Sequence, residues 1–156
     1  MTTALEPAIA GTLPARPATR DPRDVIPAAL WDKQTELLMR DYPFDRVMAE
    51  RVLGQAYAYL LTAMKLRGAA LGLVPAQIVD IGVHTVILDT VAYAELCDTH
   101  NSGNFLHHVP RVDMKQDGSV MRTAAVITEN GFAVDLPLWE AGAADCGPCH
   151  PGSDSH

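Results

Sequence analysis

Residues 79–110 read VDIGVHTVILDTVAYAELCDTHNSGNFLHHVP, a stretch that holds four of the six histidines and one of the three cysteines of the chain. Pro75, just ahead of it, suits the first turn of a helix. Ile78, Val79, Gly82, Val83, Val86, Ile87, Val91, Ala94 and Leu96 make the segment beyond that proline apolar around most of its girth. The pattern predicts a buried central helix from about Pro75 to His100, either continuous or bent at Gly82 into two helices that meet near His84. Asn101-Ser102-Gly103-Asn104 is then a strong turn. Phe105 to Pro110 reads as an extended return, held off helix by its proline.

Working outward, Leu30, Trp31, Gln34, Leu37 and Leu38 fall at helical spacing from Ala28 to about Arg40, and Asp41-Tyr42-Pro43 breaks the run. From Asp45 to about Leu66, Leu53, Ala56, Tyr57, Leu60, Leu61 and Met64 predict a long amphipathic helix. Towards the C-terminus, Ser119 can cap a helix that Gly131 terminates, although Asn130-Gly131 is also a hairpin signal. Asp135 and Trp139 are placed to begin and close one last helical turn. The expected fold is mainly α, a small single-domain bundle of four or five helices over residues 28–140. A flexible, proline-rich arm covers 1–27, and a Cys/His tail covers 141–156.

Composition narrows the function. The chain has 156 residues, 48% of them hydrophobic, and a net charge of −7, which disfavours a nucleic-acid or anionic-membrane surface. No apolar run approaches the roughly 18 residues of a membrane span, and no basic start precedes an apolar centre as in a secretory signal. A cytoplasmic location is expected. The partners to expect are a metal ion and a small molecule or protein. An odd cysteine count without an export signal fits thiols or metal ligands better than a disulfide framework.

Helix geometry sorts the polar groups of the central stretch. At about 100° per residue Asp80 and His84 share one face, and Tyr93, Cys97 and His100 share another. His84 and Cys97 are thirteen positions apart, about 20 Å along an unbroken helix, too far to hold one ion together. Asp80 reads either as a carboxylate orienting a buried imidazole or as part of a ligand set. Extended geometry sends His107 and His108 to opposite faces, so only one of them easily faces the helix.

At these residues the chain resembles the bacterial branch of the glycine-rich domain-containing protein-like family, whose pattern is close to VDxxWHxxILxTxxYxxFCxxxxGxFxHHVP. Val79, Asp80, His84, Ile87, Leu88, Thr90, Tyr93, Cys97, Gly103, Phe105, His107, His108, Val109 and Pro110 stand at corresponding places, with one extra residue near Gly103. Val83 replaces the usual Trp and Leu96 the usual Phe. Gly131-Phe132, the segment Val134 to Trp139 and a CxxC tail extend the similarity over roughly residues 30–150. The resemblance implies a mostly helical fold and a His/Cys centre, and names no substrate. Val in place of Trp predicts extra room beside His84.

The tail carries Cys146-Gly147-Pro148-Cys149 followed by His150. CxxC sets two thiolates on one side of a tight turn, half of a tetrahedral zinc site that Cys97, His100 or His150 could complete. CGPC also suits thiol redox chemistry, though no βαβ pattern surrounds it. It can equally serve as a segment presented to a partner. The leading expectation is a metal-binding protein, with His84 and one or both of His107 and His108 at one centre and Cys97, Cys146 and Cys149 in a second group or closing over the first. Asp80, Tyr93 and His100 stand behind these ligands. Zinc suits mixed Cys and His donors best, whereas copper or iron suits an open, His-rich site that activates water or dioxygen. The alternatives are a non-catalytic accessory protein and a thiol redox protein.

Overall fold

The computed structural model describes residues 19–110, 112 and 116–141. They form six α-helices and no named strand: α1 Ala28–Asp41, α2 Arg46–Lys65, α3 Gln77–Leu88, α4 Thr90–His100, α5 Ser119–Glu129 and α6 Leu136–Ala141. The mainly α bundle is as the sequence predicts. A 3-10 turn, Pro22–Asp24, precedes α1. The expected arm lies mostly, and the expected tail almost wholly, outside the described residues, Cys146 and Cys149 with it.

The helix at the centre is α2, not the segment around residues 75–100. Asp45 caps it by accepting from the Met48 amide at 2.8 Å. Helices α1, α3, α4 and α5 all pack on it. It can be central although it carries Gln55, Tyr57 and Thr62, because each of these polar side chains finds a partner. The Tyr57 hydroxyl donates to Gln34 of α1. Burial pushes its acidity far down, so it stays a donor. The Thr62 hydroxyl accepts from Asn130 at 3.0 Å. Gln55 donates to the Ala133 carbonyl and accepts from the Asp135 amide and from Trp139 Nε1.

Gly82 sets how closely α3 lies on α2. A Cβ there would stand 2.9 Å from Ala56 Cβ and 3.0 Å from the Val52 carbonyl oxygen, so the missing side chain lets the helices approach. Val79, Val83 and Val86 seal the same seam and are essentially unexposed. Helix α3 runs unbroken through Gly82. It ends at Asp89, whose ψ of 68° leaves helical geometry and whose carboxylate accepts from Lys33 at 2.9 Å and Gln34 at 3.3 Å. Restarting at Thr90, α4 buries Tyr93, Leu96 and Cys97 but leaves Val91 73% exposed, just past Leu88 at 78%. The stretch is therefore apolar all round without being buried all round.

Two tethers bring the chain after α4 back towards α3. Ser102 and Gly103 take left-handed backbone, with φ of 53° and 73°, and close a turn in which Asn101 Nδ2 donates to the Asn104 carbonyl at 2.6 Å. The Tyr93 hydroxyl donates to the Leu106 carbonyl, and the Phe105 ring meets the Tyr93 ring edge-on at 5.1 Å. At the other end, Thr123 of α5 accepts from the Val74 amide at 2.9 Å and so fixes the approach to α3. The helical reading of residues 119–129 holds over the hairpin: Gly131 has φ of 90°, and the Phe132 amide turns back to the Ile127 carbonyl.

Candidate metal centre

Asp80 and His84 lie one turn apart on a half-buried face of α3, about 100° round the helix from the Val79, Val83 and Val86 seam. Into that face the return segment delivers His108, so it is His108 and not His107 that meets the helix. His108 Nε2 stands 3.0 Å from Asp80 Oδ1, and His84 Nε2 stands 3.4 Å from Asp80 Oδ2. The two imidazole rings meet at 71° with centroids 5.1 Å apart. Each residue offers one donor atom, and the three atoms lie within 4.8 Å of one another. Among the described residues no other His, Cys, Asp or Glu joins them in such a group.

The orientation of these atoms is more telling than their distances. Asp80 Oδ1, His84 Nε2 and His108 Nε2 are buried from solvent, and none completes a hydrogen bond. The 3.0 Å approach of His108 to Asp80 would suit a charge-assisted pair, yet its geometry is not that of one. A carboxylate oxygen is an acceptor, and so is the unprotonated nitrogen of a neutral imidazole. With both Nε2 atoms unprotonated all three atoms would be acceptors, and acceptors turned towards one another need a cation between them. Around a zinc-like ion with bonds of about 2.0 to 2.2 Å, neighbouring donors sit about 2.8 to 3.1 Å apart at right angles and about 3.3 to 3.6 Å apart at tetrahedral angles. The two separations, 3.0 Å to one Asp80 oxygen and 3.4 Å to the other, fall one in each range.

The three residues stand between two clefts. Asp80 and His108 line the larger, of about 760 Å³, with Tyr59, Leu73, Gln77, His107 and Val109. His84 lines the smaller, of about 330 Å³, together with Lys33, Arg40, Thr85 and Leu88. Val83 borders neither and is wholly buried in the α2 seam. The expected room beside His84 therefore does exist, but it comes from the gap between α1 and the end of α3 and not from the Trp-to-Val difference.

The remaining predicted residues separate from this group. His107 is exposed, its ring tilted 5.0 Å from that of Phe105, and it faces the larger cleft without joining the three donors. Cys97 is 2% exposed, a core residue beside Tyr93 and Leu96. Burial first, and the neighbouring Cys97 thiol second, push the Tyr93 hydroxyl far up, so it remains the donor that holds Leu106. His100 closes α4, and burial followed by the charge of Arg20 shifts it down. Asp80, read in the sequence as orienting an imidazole or as part of a ligand set, lies within reach of both imidazoles. Gln77, one turn before Asp80 on α3 and facing the same cleft, escaped the sequence reading; its position three residues ahead of Asp80 was the available signal.

Comparison of the chain with protein-family models, with curated proteins and with solved structures finds no match. What the fold and the site define is a helical protein with an Asp/His/His group able to hold a metal ion. Among the described residues no helix is long and apolar enough to cross a membrane.

Proposed function

We propose that this protein binds a single divalent first-row metal ion through Asp80, His84 and His108 and leaves coordination positions open towards the cleft that Asp80 and His108 border. The observation that carries the reading is the convergence of three buried, hydrogen-bond-free donor atoms on one point. Cys97 is held in the core, so among the described residues the donors are two imidazoles and a carboxylate. That set suits zinc with an open position, which activates water, and iron(II), which activates dioxygen. It suits a thiolate-seeking ion less well. The resemblance of residues 79–110 to the glycine-rich domain-containing protein-like family supports a histidine centre in this stretch, and we read the chain as a divergent member of that family.

Elemental mass spectrometry on untagged protein, purified without added metal, tests the reading. One equivalent of iron or zinc per folded chain is expected, lost in Asp80→Ala, His84→Ala and His108→Ala and kept in His107→Ala. Metal at a hundred times its dissociation constant should raise the unfolding free energy by about 2.7 kcal/mol. Wild-type protein that holds no metal and takes none up on titration overturns the assignment.

A further inference from the structure

The segment that carries His108 is fastened to the rest of the fold at few points. We infer that residues 104–110 form a strap that the metal ion latches onto α3, with Tyr93 as the positioning residue on which it turns, so that binding the ion and fixing one wall of the larger cleft are a single event. This inference rests on the metal assignment above and adds a metal-driven closure to it.

The attachments of the strap carry the first half of the argument. Among the described residues, no amide of residues 105–109 donates a hydrogen bond, and the one bond to their carbonyls comes from the Tyr93 hydroxyl to Leu106. Phe105, His107, Val109 and Pro110 are exposed, whereas Leu106 and His108 are half-buried, the alternation of an extended chain held by one face. Tyr93 holds Leu106: it is 1% exposed, rooted in the core, and meets the Phe105 ring edge-on at 5.1 Å. His108 lacks such a grip, since its Nε2 stands 3.0 Å from Asp80 Oδ1 without completing a hydrogen bond. Holding these residues in one conformation costs backbone entropy at each of them, and one hydrogen bond with one ring contact offsets only part of it. A bond from His108 to an ion held by Asp80 and His84 supplies the second grip.

The position of the strap carries the second half. His107, His108 and Val109 line the larger cleft together with Gln77 and Asp80 of α3. Cleft wall and metal ligand therefore belong to one short segment, and whatever fastens His108 sets the wall. Linkage makes the relation reciprocal: a change that loosens the strap weakens metal binding by the factor by which it lowers the closed population. The Tyr93 hydroxyl acts on the ion in this way, through Leu106 and His108, without being a ligand.

Hydrogen exchange of the full chain with and without one equivalent of zinc tests the inference, with metal content measured on the same samples and the amides of α2 as the internal reference. Zinc should slow exchange at residues 105–109 at least about tenfold relative to α2, and should leave it unchanged in Asp80→Ala. Tyr93→Phe keeps the ring and loses one hydrogen bond, so it should weaken zinc binding about three- to tenfold. In its zinc-bound form residues 105–109 should exchange faster by a similar factor while α2 does not, a split that general destabilisation would not give. Equal exchange at residues 105–109 with and without bound zinc overturns the strap. Unchanged zinc affinity in Tyr93→Phe, or a loss that α2 exchange follows in step, overturns the role of Tyr93. Either result leaves the metal site standing. Failure to load zinc, iron(II) or cobalt(II) at all removes the metal assignment and this inference with it.

Discussion

Gln55 and Asp80 are polar side chains on adjoining helices, and the fold surrounds them in opposite ways. Around Gln55 each contact pairs a donor with an acceptor: the amide donates to Ala133 and accepts from Asp135 and Trp139. Around Asp80, Oδ1 and the two Nε2 atoms face one another with no hydrogen bond among them. A closed network is what a fold uses to bury polarity at no net loss. A set of acceptors left open is costly for folding alone, and is what a site for a cation consists of. Trp31 Nε1 and Asn101 Oδ1 are likewise buried without a partner, so it is the convergence of three such atoms that marks the candidate site.

That contrast can be broken by substitution. The largest effect is expected at the closed network. Gln55→Leu strands the Trp139 indole N–H and the Asp135 amide, which should lower the unfolding free energy by about 2 to 4 kcal/mol in urea titrations while metal per folded chain stays constant. Next comes the packed face of α3. Gly82→Ala drives a Cβ against Ala56 and the Val52 carbonyl and should cost about 1 to 3 kcal/mol. Asp80 and His84 move together on that helix, so bound metal is retained.

At the open group the expectation reverses. In metal-free protein, Asp80→Ala, His84→Ala and His108→Ala should each change stability by less than about 1 kcal/mol, although each removes metal binding. A loss above about 3 kcal/mol in metal-free Asp80→Ala would show the group to be structural after all, and would break the comparison. The smallest effect concerns pH. Burial favours neutral His100 in the folded chain and shifts it down, so unfolding takes up a proton there. Stability contributed by that residue is intact above the unfolded value near 6.5 and declines as pH falls through it. His100→Gln should flatten the acid side of a thermal-melt profile slightly.

Parts of this were legible in the sequence. The pairing of Asp80 with His84 comes from helical spacing alone, as do α1, α2 and α5. The choice of His108 over His107 does not, since it depends on a turn through Ser102 and Gly103 and on Tyr93 gripping Leu106. Nor does the break at Asp89. Aspartate is tolerated in helices, and what holds it out of one here is Lys33 and Gln34, more than fifty residues away. The segment from Pro75 to His100 looked central because it is the more apolar. The helix that is central, α2, buries polar groups whose partners lie on α1, just past the end of α5 and on α6, where local pattern cannot reach.

The joint at Asp89 has a consequence for ancestry. A residue added to or removed from α4 between Thr90 and Tyr93 would turn Tyr93 about that helix by about 100°, carrying the hydroxyl away from Leu106 and His108 away from α3. Substitutions at solvent-facing positions such as Leu88 and Val91 disturb none of this. Descent would then be recorded in counting more than in identity. Four residues from Asp80 to His84 and nine on to Tyr93 are the intervals that a distant relative of this chain should keep after most of its letters have changed, whereas the turn before His108 can take up an extra residue.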